Sequence, residues 1–133
     1  MTQGNVLVVE DDEAIRRLLI DVLRERACLA VDGARDGRDA LHQITMKRYS
    51  VIVLDVMMPF MSGIDFLDSL QALLNDPSLK TIEKVPAVIV VTSVPSEEIP
   101  AAEIKHRFPA LVHEVMRKPV DIAALAREVE RLV

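Results

Sequence analysis

Three consecutive acids, Glu10-Asp11-Asp12, and a lone Asp55 each follow a run of apolar residues, and further along the chain Thr92 and Lys118 do the same. Asp55 closes Val51-Ile52-Val53-Leu54, and Pro59 stands four positions beyond it. An unbroken, β-branched apolar run of this kind predicts a strand buried on both faces, and proline cannot continue it. Asp55 therefore stands where a central strand leaves the core, the edge at which open α/β sheets bind ligands. An ionised carboxylate is costly inside a protein and useful at such a rim. Three carboxylates gathered at one edge repel one another unless a cation neutralises them. A small all-oxygen ligand set suits Mg²⁺, which keeps several waters and bridges carboxylates to a phosphoryl oxygen. A threonine hydroxyl and a lysine ammonium on the far side would hold the remaining phosphoryl oxygens, the lysine as a mobile point charge. The chemistry these residue types support is phosphoryl transfer with Asp55 as nucleophile, in which alignment and charge neutralisation supply the catalysis.

The elements that must position these groups can be read from hydrophobic periodicity. Residues 5–10, Asn-Val-Leu-Val-Val-Glu, form a first buried strand. In residues 13–24 the apolar positions 15, 18, 19, 22 and 23 fit one helical face, with arginines and acids elsewhere. Asp12 is placed to cap that helix, and Glu13 suits the positive end of its dipole. Cys28 to Val31 predicts a short strand, and Asp36-Gly37 turns the chain into a helix at about 38–47 with Ala40, Leu41 and Ile44 inward. Ser62-Gly63 opens a third helix through about Leu74, and residues 75–85 read as a long loop. Ala87 to Val91 is a buried strand closed by Thr92-Ser93. Pro95 and Pro100 make the next segment an irregular helix at about 100–107. Val112 to Arg117 is the fifth strand, ending on Lys118-Pro119, and Asp121 caps a last helix through Leu132 with Ala124, Leu125, Val129 and Leu132 apolar. Strands separated by single helices imply parallel pairing with right-handed crossovers, hence an α/β doubly wound three-layer sandwich. The expected strand order is 2-1-3-4-5, whose switch point between strands 1 and 3 sets Glu10 and Asp11 beside Asp55.

Composition narrows the alternatives. The 133 residues make one domain, 50% hydrophobic and 28% charged, which excludes a disordered chain. A net charge of −5 and a pI of about 5.2 argue against direct nucleic-acid binding. No apolar run is long enough for a membrane span, and no basic stretch precedes an apolar one. The expectation is a cytoplasmic chain without a membrane segment. Cys28 is the only cysteine, so it reads as core filler and no internal disulfide can form. His42, His106 and His113 lack metal spacing, and Asp65 and Asp68 fall on the exposed face of the third helix without an assigned role. A dehalogenase-type phosphohydrolase needs a second Asp two residues after its nucleophile, and Met57 stands there. A flavin-binding flavodoxin needs a Ser/Thr/Gly-rich phosphate loop after the first strand; none is present, and aromatics are only 3%.

Taken together, Val-Leu-Val-Val-Glu10-Asp11, Asp55-Val-Met-Met-Pro59-Phe-Met-Ser-Gly63, Thr92 after an apolar strand, and Lys118-Pro119 resemble the receiver domain of bacterial two-component response regulators across essentially the whole chain. The resemblance implies a flavodoxin-like (βα)5 fold. It also implies a phosphoacceptor regulator, not an enzyme, which assists its own Mg²⁺-dependent phosphorylation and dephosphorylation. Asp55 would take its phosphoryl group from a sensor histidine kinase or a histidine phosphotransfer protein. Asp11, Asp55 and the backbone carbonyl of Met57 would bind Mg²⁺, with Glu10 acting through water. Thr92 and Lys118 would contact the phosphoryl group, and Lys118-Pro119 resembles the family's cis peptide. The family uses two adjacent acids where this chain has three. The strand and helix start favour Glu10 and Asp11, with Asp11 and Asp12 as the other pairing.

Three features depart from the pattern: Val115 where the family has Tyr or Phe, Arg107-Phe108-Pro109-Ala110-Leu111 before the fifth strand, and the long 75–85 loop. The expectation is a stand-alone domain with no effector after Val133, for which two functions are open. One is a stand-alone phosphoacceptor, a monomer or weak dimer, signalling to an unidentified downstream protein. The other is a receiver-shaped interaction module that works without phosphorylation.

Overall fold

The computed structural model describes residues 5–27, 30–56, 61–76, 85–92 and 101–133. Along them, strands and helices alternate: β1 (Asn5–Val9), α1 (Glu13–Ala27), β2 (Ala30–Ala34), α2 (Gly37–Met46), β3 (Val51–Asp55), α3 (Gly63–Leu74), β4 (Ala87–Thr92), α4 (Ala101–Arg107), β5 (Val112–Arg117) and α5 (Ile122–Leu132). The strands form one sheet in the order β2-β1-β3-β4-β5, and every neighbouring pair is parallel. This is the expected doubly wound arrangement.

Alternation along the strands feeds two separate cores, because successive side chains point to opposite faces of a sheet. Leu7, Ile52, Leu54, Val88 and Val90 pack on one face against Ala40 and Ile44 of α2, Phe66, Leu67 and Leu70 of α3, and Ile104 of α4. Val6, Val8, Val51, Val53, Ile89 and Val91 pack on the other against Leu19 and Leu23 of α1 and Leu125, Ala126 and Val129 of α5. With apolar residues required on both faces, the central strands read as unbroken apolar runs.

Local chemistry starts the helices where the sequence places the caps. Asp36, Ser62 and Asp121 accept hydrogen bonds from the backbone N–H groups of Asp39, Asp65 and Ala124. Asp12 accepts from Ile15 N at 3.0 Å and so opens α1.

Two expectations need correction. The second strand extends past Val31 to Ala34, taking in Asp32-Gly33, a pair that reads as a turn in isolation. Pairing with β1 in the register Leu7↔Asp32 and Val8↔Gly33 supplies its hydrogen bonds, and the Asp32 carboxylate accepts from Lys47 Nζ and Tyr49 Oη, each at 2.8 Å. The inner face of α1 is also narrower than its periodicity suggests. Leu19 and Leu23 are buried, but Ile15 and Leu18 are 39% and 49% exposed, because they rim a cavity open to solvent at the carboxyl edge of the sheet.

Residues 77–84 of the expected loop, and Cys28, Ser93, Pro95 and Pro100, lie outside the described residues. Among the described residues, no helix is long and apolar enough to cross a membrane.

Candidate functional site

The site is assembled at the carboxyl edge of the sheet, where β1 and β3 are neighbours but their helices leave on opposite faces. Glu10 follows β1, and its N–H donates to Ala34 O at 3.0 Å, so pairing with β2 holds it in place. Asp55 is the last residue of β3. Glu10, Asp55 and Thr92 are 3%, 4% and 7% exposed, and they are the buried polar or charged residues among those described. A carboxylate oxygen from each of Glu10, Asp11 and Asp55 falls within a cluster whose members all lie within 4.8 Å of one another. Asp11 is the exposed member.

Lys118 completes the cluster from the end of β5. Its ammonium donates to Glu10 Oε1 at 3.1 Å and to Asp55 Oδ2 at 3.3 Å. Lys118 N donates to Thr92 O at 2.9 Å, tying β5 to the end of β4 and placing Thr92 and Lys118 together. The Lys118–Pro119 peptide is cis, as the resemblance implies.

Electrostatics at this edge favour a bound cation. Burial raises the pKa of Glu10 above its ordinary value, and its hydrogen bond with Asp55 raises it further. Asp11 is raised by partial burial and by Glu10. Burial works to lower the Lys118 pKa, but the Asp55 and Glu10 carboxylates outweigh it and hold the ammonium above its ordinary value. Three carboxylates against one ammonium leave a local excess of negative charge. Hard, oxygen-only ligands of that charge suit a small divalent cation.

Gly63 lets α3 start directly on the strand that carries Asp55. Its N–H donates to Val56 O at 2.9 Å. A Cβ there would come within 2.7 Å of Val56 Cα and 2.9 Å of Asp55 O, so only glycine fits without moving the backbone. Beside the cluster, a cavity of about 230 Å³ is walled by Leu19, Val53, Val91 and Ile122, with Ile15 and Leu18 at its rim and Glu10, Asp55 and Lys118 at its polar end.

The described site residues expected from sequence, Glu10, Asp11, Asp55, Thr92 and Lys118, thus lie at one edge. The Met57 carbonyl lies outside the described residues. Asp12 caps α1 and is not part of the carboxylate cluster. Val115 is half-buried and packs against the core beneath α4. Asp68, given no role from sequence, pairs with Arg107 at 3.2 Å, linking α3 to α4. Sequence reading missed Arg16. Periodicity puts it on the solvent face of α1, yet its guanidinium reaches back to donate to Glu10 O at 2.9 Å.

Residues 6–130 match the model of the response regulator receiver domain. The chain belongs to that family. It is therefore a receiver domain of two-component signalling. Its overall shape agrees with that of a response regulator receiver protein from Pseudomonas putida, at a TM-score of 0.78, 27% identity, and 98% coverage of both chains. Among curated proteins, it is 42% identical over 86 residues to a protein-glutamate methylesterase/protein-glutamine glutaminase of Geobacillus kaustophilus, a match covering 64% of this chain and 22% of that protein. A protein of the same description from Archaeoglobus fulgidus is 30% identical over 132 residues, covering 96% of this chain and 34% of that protein. The receiver domain thus spans about a third or less of these two relatives.

Proposed function

We propose that Asp55 accepts a phosphoryl group from a phosphohistidine, and that Glu10, Asp11 and Asp55 bind Mg²⁺ for the transfer. The observation that carries this reading is the buried Asp55 carboxylate at a strand end, gathered with two further carboxylates and contacted by one lysine. In this reading an Asp55 carboxylate oxygen attacks phosphorus as the P–N bond breaks. The electron pair of that bond stays on the imidazole nitrogen, and an acyl phosphate forms on Asp55. Lys118 exchanges its carboxylate partners for a phosphoryl oxygen, and the Thr92 hydroxyl donates to another. Bound Mg²⁺ would neutralise charge on the phosphoryl oxygens. The Met57 carbonyl belongs to the same proposed ligand set.

The donor in this proposal is a sensor histidine kinase or a histidine phosphotransfer protein, met in the cytoplasm. The exposed Ile15 and Leu18 beside Asp55 support a surface on which an apolar side chain of the donor could seat. The downstream target is a further protein. A second reading, an interaction module that works without phosphorylation, draws its support from Val115. An aliphatic residue there offers no ring to swing inward when the site is modified.

Incubation with Mg²⁺ and acetyl phosphate, followed by intact mass, tests the proposal alongside Asp55→Asn. The expected result is one phosphoryl group, dependent on Mg²⁺ and absent from the variant. No adduct, together with no beryllofluoride-induced change in the amide spectrum, would favour the interaction module.

A further inference from the structure

We infer that Arg16 is a positioning residue for the acidic pair, and that Gly33 on the neighbouring strand is the seat that allows it. This rests on the reading of Glu10, Asp11 and Asp55 as a Mg²⁺ site. Glu10 is the hinge between β1 and α1. Its N–H is held by Ala34 O, its side chain by Lys118 and by the backbone N–H of Asp12 at 3.3 Å, and its carbonyl by Arg16 at 2.9 Å. Arg16 is thus the α1 side chain that fixes this carbonyl, one turn beyond the cap formed by Asp12.

The guanidinium can reach because its aliphatic stem lies across Gly33. A Cβ on Gly33 would stand 2.8 Å from Ile20 Cδ1 and 3.1 Å from Arg16 Cδ, so the Ile20 tip must shift and the arginine stem must give by a few tenths of an ångström. Gly33 is therefore a second point, on β2, from which Glu10 and the adjoining Asp11 can be displaced. Groups that orient metal ligands without touching the metal typically matter by about tenfold or more in affinity.

Charge and position make opposite predictions for Arg16, which makes the inference testable. Removing a cation near a carboxylate cluster should tighten binding of a divalent cation if only Coulomb attraction counts. Removing a positioning bond should weaken it. The experiment titrates Mg²⁺ into the full chain while following the amide shifts of residues 10–12 and 55, for the native protein and for Arg16→Met, Arg16→Lys and Gly33→Ala, with thermal unfolding of each. We expect the Mg²⁺ dissociation constant to rise about tenfold in Arg16→Met, stay close to native in Arg16→Lys, and rise in Gly33→Ala although the arginine is kept. Unchanged or tighter binding in Arg16→Met, with Glu10→Gln still losing Mg²⁺, would overturn the role of Arg16 and leave the site reading intact. Native affinity in a folded Gly33→Ala would overturn the role of Gly33. No Mg²⁺-dependent shifts in the native chain would overturn both the site reading and this inference.

Discussion

Lys118 Nζ lies 3.3 Å from Asp55 Oδ2, a contact across a sequence separation of 63 residues. The lysine is about one quarter exposed and the aspartate almost wholly buried, so this pair is less screened by water than a surface ion pair. It joins the end of the central strand to the end of an edge strand.

Lys118→Met should leave the carboxylates facing one another without a counter-charge. Stability in the absence of divalent cations should fall by about 2 kcal/mol, and added Mg²⁺ should narrow the gap. Phosphorylation by acetyl phosphate should fall by about tenfold or more, because a group that neutralises transferring charge is gone. Urea melts with and without Mg²⁺, paired with intact-mass time courses, check both halves.

Asp12→Ala separates capping from metal binding. The Asp12 carboxylate holds Ile15 N and lies outside the cluster. Its loss should cost about 1 kcal/mol while leaving the Mg²⁺ dissociation constant near its native value. A large loss of Mg²⁺ affinity would instead move the metal pair to Asp11 and Asp12.

Gly63→Ala should be felt at Asp55. The added methyl meets backbone at 2.7 and 2.9 Å, and backbone cannot swing aside as a flexible side chain does. A destabilisation of about 1–3 kcal/mol is expected for overpacking at such a position, with slower phosphorylation as the end of β3 is displaced. Thermal unfolding and acetyl phosphate kinetics on the same sample test this.

Asp32 supplies part of the acid sensitivity of the fold. Burial works to raise its pKa, but hydrogen bonds from Lys47 and Tyr49 and their charge environment outweigh it and hold the carboxylate below its ordinary value. A depressed folded-state pKa contributes stability that is present above the ordinary carboxylate range and is lost as pH falls through the folded value. Asp32→Asn should therefore be less stable than native at pH 7, with the difference shrinking below about pH 4. Denaturant midpoints for both proteins between pH 7 and pH 3 give the comparison. A gap that widens with acid would exclude this role.

Much of the fold was legible because its signals are local. Buried parallel strands leave unbroken apolar runs, caps leave Asp or Ser before a helix, and a proline or an acid marks where a strand stops. Asp36, Ser62 and Asp121 sit at helix starts for that reason, and the strand order follows from single-helix crossovers. The expected end of the second strand at Val31 fell short because the strand character of Asp32-Gly33 comes from β1 beside it, not from its own side chains. Ile15 and Leu18 misled because helical periodicity reports which residues share a face, not whether anything covers that face.

By itself, the sequence determined which residue types stand at the strand ends, and so the kind of chemistry available: carboxylates, a hydroxyl and an ammonium. Tertiary structure alone decided that Lys118 contacts Glu10 across 108 positions, that Asp11 is the exposed member of the cluster, and that Arg16 turns back over Gly33 to hold the Glu10 carbonyl. The physical reason is range. Propensity and periodicity act within a few residues, whereas distances between strand ends and the space beside a glycine are set by elements that meet only after the chain has folded.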